Sequence, residues 1–399
     1  MKPRSPKPVR TSRAAVLGPA AVEAVRRGHP WIFRDALRAV PNEETGAAVE
    51  LVTEAGEQLG MGLWDAVSPI ALRVWTRGEP IDAALFRARL DAALVVRARL
   101  FTGTGTTAFR VLNGEGDRTP GFVIDRYDDV AVLRVDGDAA RAAVPRLLQG
   151  IEPVLRAHGV TTLLDRVATK GQAPVVTPVF GPMRESVTAQ EHGVPFVVDL
   201  VRGQKTGAFL DQRENRRRIG ELAARRTSPR VLNLFSYTGG FSLRAALAGA
   251  TVTSVDVAMA AHATAQASFK LAGVDPRAHA FVTADCFAFL EAAKKRGDRF
   301  DIVISDPPSF APSEKAKQKG LSAYRALHRA CVSVLAEGGT FVAASCSSHV
   351  GLEDFSSTLD DAALGRSDLR MLEMFGPPAD HPTLAVFPEG RYLKLCVLE

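Results

Sequence analysis

The chain reads as an α/β protein, with a doubly wound parallel sheet over residues 191–399 preceded by a small β-rich domain over 1–77 and a central α+β domain over 78–190. Three observations predict this. First, Val231 to Asp256, VLNLFSYTGGFSLRAALAGATVTSVD, reads as an apolar strand, a glycine turn, a helix and a second strand ending on an acid. Second, strand and helix patterns alternate from Asp256 nearly to the C-terminus, the signature of a parallel sheet covered by helices. Third, the first 77 residues break into short strand-like runs punctuated by turn residues, and 399 residues exceed what one hydrophobic core holds.

In chain order, residues 1–13 carry five basic residues and three prolines without apolar periodicity, which predicts an unstructured arm. A helix near 20–27 and strands at 48–52, 59–63 and 71–75 build the front domain, with RRGHPWIF (26–33) interleaving rings and cations in a way that suits RNA or a small core. Residues 82–100 predict an amphipathic helix with Arg87, Arg89, Arg97 and Arg99 on its wet side. Strands at 121–125 and 130–135, a helix at 139–157 and a strand at 162–165 follow, and Gly and Pro punctuate 171–195. A strand at 197–200 leads to a helix over 213–226 with six arginines, either a solvated face or an RNA-facing one. Beyond Asp256 the expected helices are 259–271, 286–295, 321–336 and 352–364, the strands 280–283, 300–305 and 339–345, and a closing pair near 384–388 and 392–398.

Composition narrows the class. A hydrophobic fraction of 46% and a charged fraction of 24% are those of a soluble globular protein. No apolar run reaches the roughly 18 residues of a membrane span, and the basic N-terminus lacks a signal-peptide core, so a cytoplasmic protein without membrane contact is expected. Cys286, Cys331, Cys346 and Cys396 have neither disulfide-framework nor metal-ligand spacing, so no metal is expected. A net charge of +6 favours a polyanionic partner.

The turn Phe235-Ser236-Tyr237-Thr238-Gly239-Gly240 lets a ligand approach the backbone, the helix behind it offers unpaired N–H groups, and Asp256 is placed for a ribose hydroxyl. The third glycine of G-x-G-x-x-G is missing, so S-adenosylmethionine suits the site at least as well as a dinucleotide. In a sheet of this kind the ligand lies at the carboxyl ends of the strands, which here are Asp256, Asp285, Asp306 and Cys346. Asp306-Pro307-Pro308-Ser309 is either an ordinary strand-end turn or a rigid mount for a carboxylate. Ser345-Cys346-Ser347 ends the next parallel strand, with a helix expected near Ser348, which would lower the thiol pKa. A thiolate adding to C6 of cytosine makes C5 a competent carbon nucleophile, and a carboxylic acid stabilises charge at N3.

KTGAFLDQR (205–213), NLFSYTGGFS (233–242), SVD (254–256), DPPSF (306–310), SCS (345–347) and ADHPTLAVFPEGRYLK (379–394) resemble the RlmI family of class I methyltransferases, which make 5-methylcytosine in 23S ribosomal RNA. HPWIF (29–33) and LNGEGDRTPGFVIDRY (112–127) extend the resemblance to nearly the whole chain. It implies a PUA-like RNA-binding domain, a central domain of strand-strand-helix-strand-strand type and a Rossmann-like catalytic domain acting on 23S ribosomal RNA. By position it makes Cys346 the nucleophile and Asp306 its partner. It assigns the cofactor to Phe235 through Gly240, Asp256 at the ribose and Asp285 near the adenine, together with Gln212, Asp306 and Pro307. Pro308 stands where many RNA cytosine-5 enzymes have a second cysteine, so the base for the C5 proton is open between water and Asp306. The oligomeric state is open between monomer and homodimer. The competing readings are an amino-group methyltransferase, a non-catalytic RNA-binding assembly factor and a nicotinamide oxidoreductase. Ser309 directly after the prolines, the intact Cys346 and Asp306, and the missing glycine count against them in turn.

Overall fold

In the computed structural model, residues 9–11, 13–169, 171–360, 362–363, 366 and 368–399 are described. The apolar run before the glycine turn becomes the strand Arg230–Leu234, central in a seven-stranded sheet ordered 280–283, 251–256, 230–234, 300–305, 335–345, 394–398, 371–375. The first five run parallel, while 394–398 runs antiparallel to 335–345. Val231, Leu232, Leu234, Ile302, Val303 and Ile304 are buried to within 1% because helices cover both faces. The strand order reverses between 230–234 and 300–305, and a crevice opens there at the carboxyl ends.

Two further sheets precede it. A seven-stranded front sheet holds strands between Val9 and Thr76, and a five-stranded central sheet is ordered 175–180, 162–167, 130–135, 122–127, 108–113. A two-stranded ribbon, Ser186–Glu191 with Val194–Asp199, leads into the catalytic half. Val175–Phe180 and Ser186–Glu191 thus occupy a stretch whose Gly and Pro content suggested only punctuation. The strand at 175–180 keeps exposed Val175 and Val179 and carries Pro178 at the sheet edge, where a missing donor costs nothing.

Four expectations are corrected. The unstructured arm over 1–13 lies largely outside the described residues, but Val9–Thr11 pairs in parallel with residues 39–41. The helix Ala83–Phe101 buries Phe86, Leu90, Ala93, Leu94, Arg97 and Phe101, so Arg97 belongs to the inner stripe, where Asp117 neutralises it in a two-pronged ion pair at 2.7 and 2.6 Å. The single helix expected over 139–157 is two, Asp138–Leu147 and Ile151–Ala157, broken where Gly150 takes a φ of 74°. The closing hairpin is Met371–Phe375 with Lys394–Leu398, and 384–388 forms no strand. Phe387 packs instead on Trp31 of the front sheet, ring centroids 4.7 Å apart, so that apolar run is spent on a contact between domains. The final helix is Leu352–Asp360, and residues 361 and 364 of its expected extent lie outside the described residues.

Candidate functional site

The strand Arg230–Leu234 ends in a turn whose backbone is unusual: Phe235 and Tyr237 take φ of 55° and 46° and Gly239 one of 71°. Two non-glycine residues in the left-handed region are held there by the surroundings, a kind of strain that clusters at ligand sites. Asp256 supplies much of the hold, its carboxylate accepting from Tyr237 N at 2.8 Å and Ala258 N at 2.9 Å. A carboxylate has further lone pairs after two such bonds, enough for ribose hydroxyls. Gly239 leaves little room for a side chain, since a Cβ there would stand 3.0 Å from Ala265 Cβ at a φ of 71° that strains any side chain. The helix Gly240–Leu247 has no side-chain cap, so its first N–H groups stay available. The buried Ser236 Oγ has no hydrogen-bond partner, and Ser236 lines the crevice. A cramped turn, free helix N–H groups and an orphaned hydroxyl fit a nucleoside cofactor.

The crevice encloses about 250 Å³ and brings together Phe235 to Thr238, Gly240, Asp256, Gln212, Asp306, Pro307 and Cys346. Asp285 does not line it; that carboxylate is exposed and accepts from Ala288 N at 2.9 Å as the cap of helix Cys286–Arg296. Gly239 lies just behind the lining, shaping the turn.

At the other end of the crevice Asp306 accepts from Gln212 Nε2 at 2.9 Å. Burial, reinforced by the neighbouring Asp211 charge, pushes the Asp306 carboxyl up to about 7. Asp211 behaves oppositely: although burial opposes its charge, Lys205 at 2.8 Å and the Tyr392 hydroxyl at 2.7 Å hold it well below the usual carboxylate range. Two neighbouring carboxyls therefore differ, one ionised and one titrating near neutrality, the arrangement that separates an acid from a fixed charge.

Cys346 is half-buried with Sγ 4.0 Å from Pro307 O. Burial pushes its thiol up, Asp306 adds to this and Lys205 opposes it. This corrects the expectation of a lowered thiol, because the helix begins at Leu352 and not near Ser348, too far along to act on the sulfur. The loops carrying Asp306 and Cys346 are tied by hydroxyls: Tyr324 contacts Ser345 and Ser347 at 2.9 and 3.0 Å, and Ser347 contacts Ser309 at 2.9 Å. Cys286, Cys331 and Cys396 are buried, the first pushed up to about 12 and the last to about 11.

The arginine helix, observed as Arg213–Ala224, engages much of its charge in ion pairs within the protein. Arg213 binds Asp380 through two contacts, Arg216 binds Glu191, Arg217 and Arg218 share Glu221, Arg218 also reaches Glu373, and Arg226 just beyond the helix meets Glu399. The face left open between solvent and RNA is thus in part a structural seam, although Arg217 stays 54% exposed. Sequence reading also missed the Lys205–Asp211–Tyr392 cluster and the tail residue Asp380, which joins Arg213 to the backbone N–H of Arg110 in the central sheet. The signal available was charge inside otherwise apolar motifs, KTGAFLDQR and ADHPT. Among the described residues no cluster suits a metal ion, and no helix is long and apolar enough to cross a membrane.

Residues 176–390 match the family model described as S-adenosylmethionine-dependent methyltransferase, and residues 16–77 match a PUA-like domain. The chain is 38% identical to the ribosomal RNA large subunit methyltransferase of Deinococcus radiodurans, covering 98% of this chain and 97% of that one. It is 34% identical to the ribosomal RNA large subunit methyltransferase I of Klebsiella pneumoniae, covering 95% and 96%. Among solved structures, a SAM-dependent methyltransferase from Streptococcus mutans superimposes with a TM-score of 0.85 at 23% identity over 98% of this chain and 99% of that one. A methyltransferase complexed with SAH gives a TM-score of 0.85 at 24% identity with the same coverage. These two share the fold.

Proposed function

The chain belongs to the RlmI-type family of S-adenosylmethionine-dependent ribosomal RNA large subunit methyltransferases, and from that premise we propose that it methylates C5 of a cytosine in 23S ribosomal RNA through a covalent bond from Cys346 to C6. The observation that carries this reading is the pairing of a crevice-lining thiol, Cys346, with a carboxyl held near pKa 7, Asp306, on adjacent parallel strand ends beside the glycine turn. We assign residues 1–77 to a PUA-like RNA-binding domain, 78–190 to the central domain and 191–399 to the catalytic domain, working in the cytoplasm where ribosomal RNA is found.

Asp256 and the turn Phe235–Gly240 would hold the nucleoside part of the cofactor, with Gln212 and Pro307 nearer the transferring end. When bound, S-adenosylmethionine supplies a methyl group activated by a sulfonium. Cys346, deprotonated, forms the sulfur–C6 bond as the C5–C6 π pair moves toward C5. Asp306 in its acid form donates to N3 and stabilises the charge that builds there. The pair at C5 forms the bond to the methyl group; the C5 proton then passes to water or Asp306, its bonding pair becomes the new C5–C6 double bond, and the C6–sulfur pair leaves with the thiolate. A base stacked in a helix cannot present C6, so the target lies in a loop or is turned out of its stack. Phe310, which an amino-group enzyme would aim at its substrate, packs on Tyr324 with centroids 4.9 Å apart and is absent from the crevice lining.

The test uses 23S rRNA fragments transcribed with 5-fluorocytidine, whose fluorine cannot leave as a proton does. A covalent adduct should survive denaturing electrophoresis, require the cofactor, persist with serine at Cys286, Cys331 or Cys396, and vanish in Cys346→Ala, which keeps cofactor binding. Full turnover in Cys346→Ala would move the chemistry to a nitrogen.

A further inference from the structure

Lys394 is a buried cation without a carboxylate. It opens the strand Lys394–Leu398, stands opposite Ser345 in the antiparallel register, and is 5% exposed. Its Nζ donates to Ser347 O at 2.8 Å and Val350 O at 2.6 Å, which leaves one of its three donors uncommitted. Among the described residues no Asp or Glu oxygen forms an ion pair with it. Asp354, the nearest acid to influence it, is occupied by Lys317 at 2.7 Å and Gly351 N at 3.2 Å. A buried ammonium with no counter-ion is costly and survives only when something repays it.

The loop it grips begins at Cys346. Of the ionisable groups on residues 346–350, His349 is 39% exposed and turned toward Glu314, so the Cys346 sulfur is the group available to act as an anion. Burial lowers the Lys394 ammonium, and the Cys346 sulfur, with Asp354 behind it, works against that fall, leaving it at about 8. From the other side Cys346 faces Asp306 and Asp211, which oppose a thiolate, the neutral Tyr324 hydroxyl, and Lys205, whose charge is already engaged by Asp211 at 2.8 Å. A nucleophile among acids needs a cation, and the cation lacking a carboxylate grips the carbonyl of the residue that follows Cys346.

We propose that Lys394 is the counter-cation of the Cys346 thiolate, a positioning residue that anchors the nucleophile's loop through two carbonyls and supplies the charge against which the sulfur ionises. The inference rests on Cys346 being the nucleophile. The same charge assists both halves of the reaction: it favours the thiolate before attack on C6 and again when that thiolate is expelled.

The test reads thiol ionisation directly. The full-length protein is alkylated with iodoacetamide between pH 6 and 10, and the Cys346 peptide is quantified by mass spectrometry. Lys394→Met should raise the midpoint by about one pH unit or more, so that alkylation at pH 8 slows about tenfold, because an opposite charge at close range typically moves a pKa by one to three units. Lys394→Arg should restore the wild-type midpoint, and calorimetric affinity for S-adenosylmethionine should be unchanged in both. If Lys394→Met does not fold, Lys394→Gln replaces it, keeping N–H donors for the two carbonyls but no charge. An unmoved midpoint in the neutral variant overturns the ion pair. Since this readout needs no methyl transfer, it is independent of the fluorocytidine adduct, which alone decides whether Cys346 attacks the base.

Discussion

Replacing Asp306 with Asn should stabilise the protein by an amount that grows as pH rises from about 4 to about 7 and then levels off. The Asp306 carboxyl rises from an ordinary 3.8 to about 7 on folding, through burial and the facing Asp211. A carboxyl whose pKa is raised by folding destabilises as it ionises, so this contribution is absent below pH 3.8, grows as pH rises from there, and is complete above about 7. About three pH units at ~1.4 kcal/mol each give ~4 kcal/mol; halving this for the group's residual exposure leaves ~2 kcal/mol. Asn copies the neutral acid and still accepts from Gln212, so the variant should match the wild type near pH 4 and exceed it by ~2 kcal/mol at pH 8. For a catalytic domain of this size that is a melting rise of ~4–8 °C. Folding lowers the buried His328 to about 4, and also His381 and His279, all of which push stability the other way between pH 4 and 6.5. Comparing mutant with wild type at each pH cancels them. The assay is a thermal melt of both proteins at pH 4.5, 6, 7 and 8, with methyl transfer in parallel, where the variant should be strongly impaired. A melting difference that is constant across the series would refute the claim that Asp306 is held as a carboxylic acid near neutrality.

Gly239→Val and Asp256→Ala should each weaken S-adenosylmethionine binding at least about tenfold by calorimetry, since the first forces a side chain against Ala265 at a φ of 71° and the second frees the N–H groups of Tyr237 and Ala258. Asp380→Ala should cost about 3–5 kcal/mol in a denaturant melt, because it strands the buried Arg213 guanidinium between two domains. RNA affinity should fall steeply with salt as phosphate counterions are released, yet Arg217→Ala and Arg218→Ala should leave the salt slope unchanged, their charges being engaged by Glu214, Glu221 and Glu373. Deleting residues 1–77 should impair RNA binding more than cofactor affinity; full-rate methylation by the truncated enzyme would assign the front domain another task.

The sequence by itself determined the catalytic sheet, the glycine turn and the residues at the strand ends, because each is written in local terms: short continuous apolar runs, a turn that needs glycine, and acids that close strands. Phe235 to Gly240, Asp256, Asp306 and Cys346 needed only their neighbours in the chain to be found, and the motifs carried the family. Tertiary structure alone decided how charge is distributed among them. Arg97 and the arginines around 213–226 look solvent-facing in a helical pattern, yet Asp117, Asp380, Glu191 and Glu373, distant in the chain, draw them into buried or bridging pairs. Residues 384–388 look like a strand, but the front domain's Trp31 captures Phe387 before the sheet can. The ionisation of the site is likewise non-local: Asp211 and Asp306 are the same residue type, and what separates them is that Lys205 and Tyr392 reach one and burial isolates the other. A pKa, like a buried ion pair, is set by what packs across space, and no spacing along the chain records it.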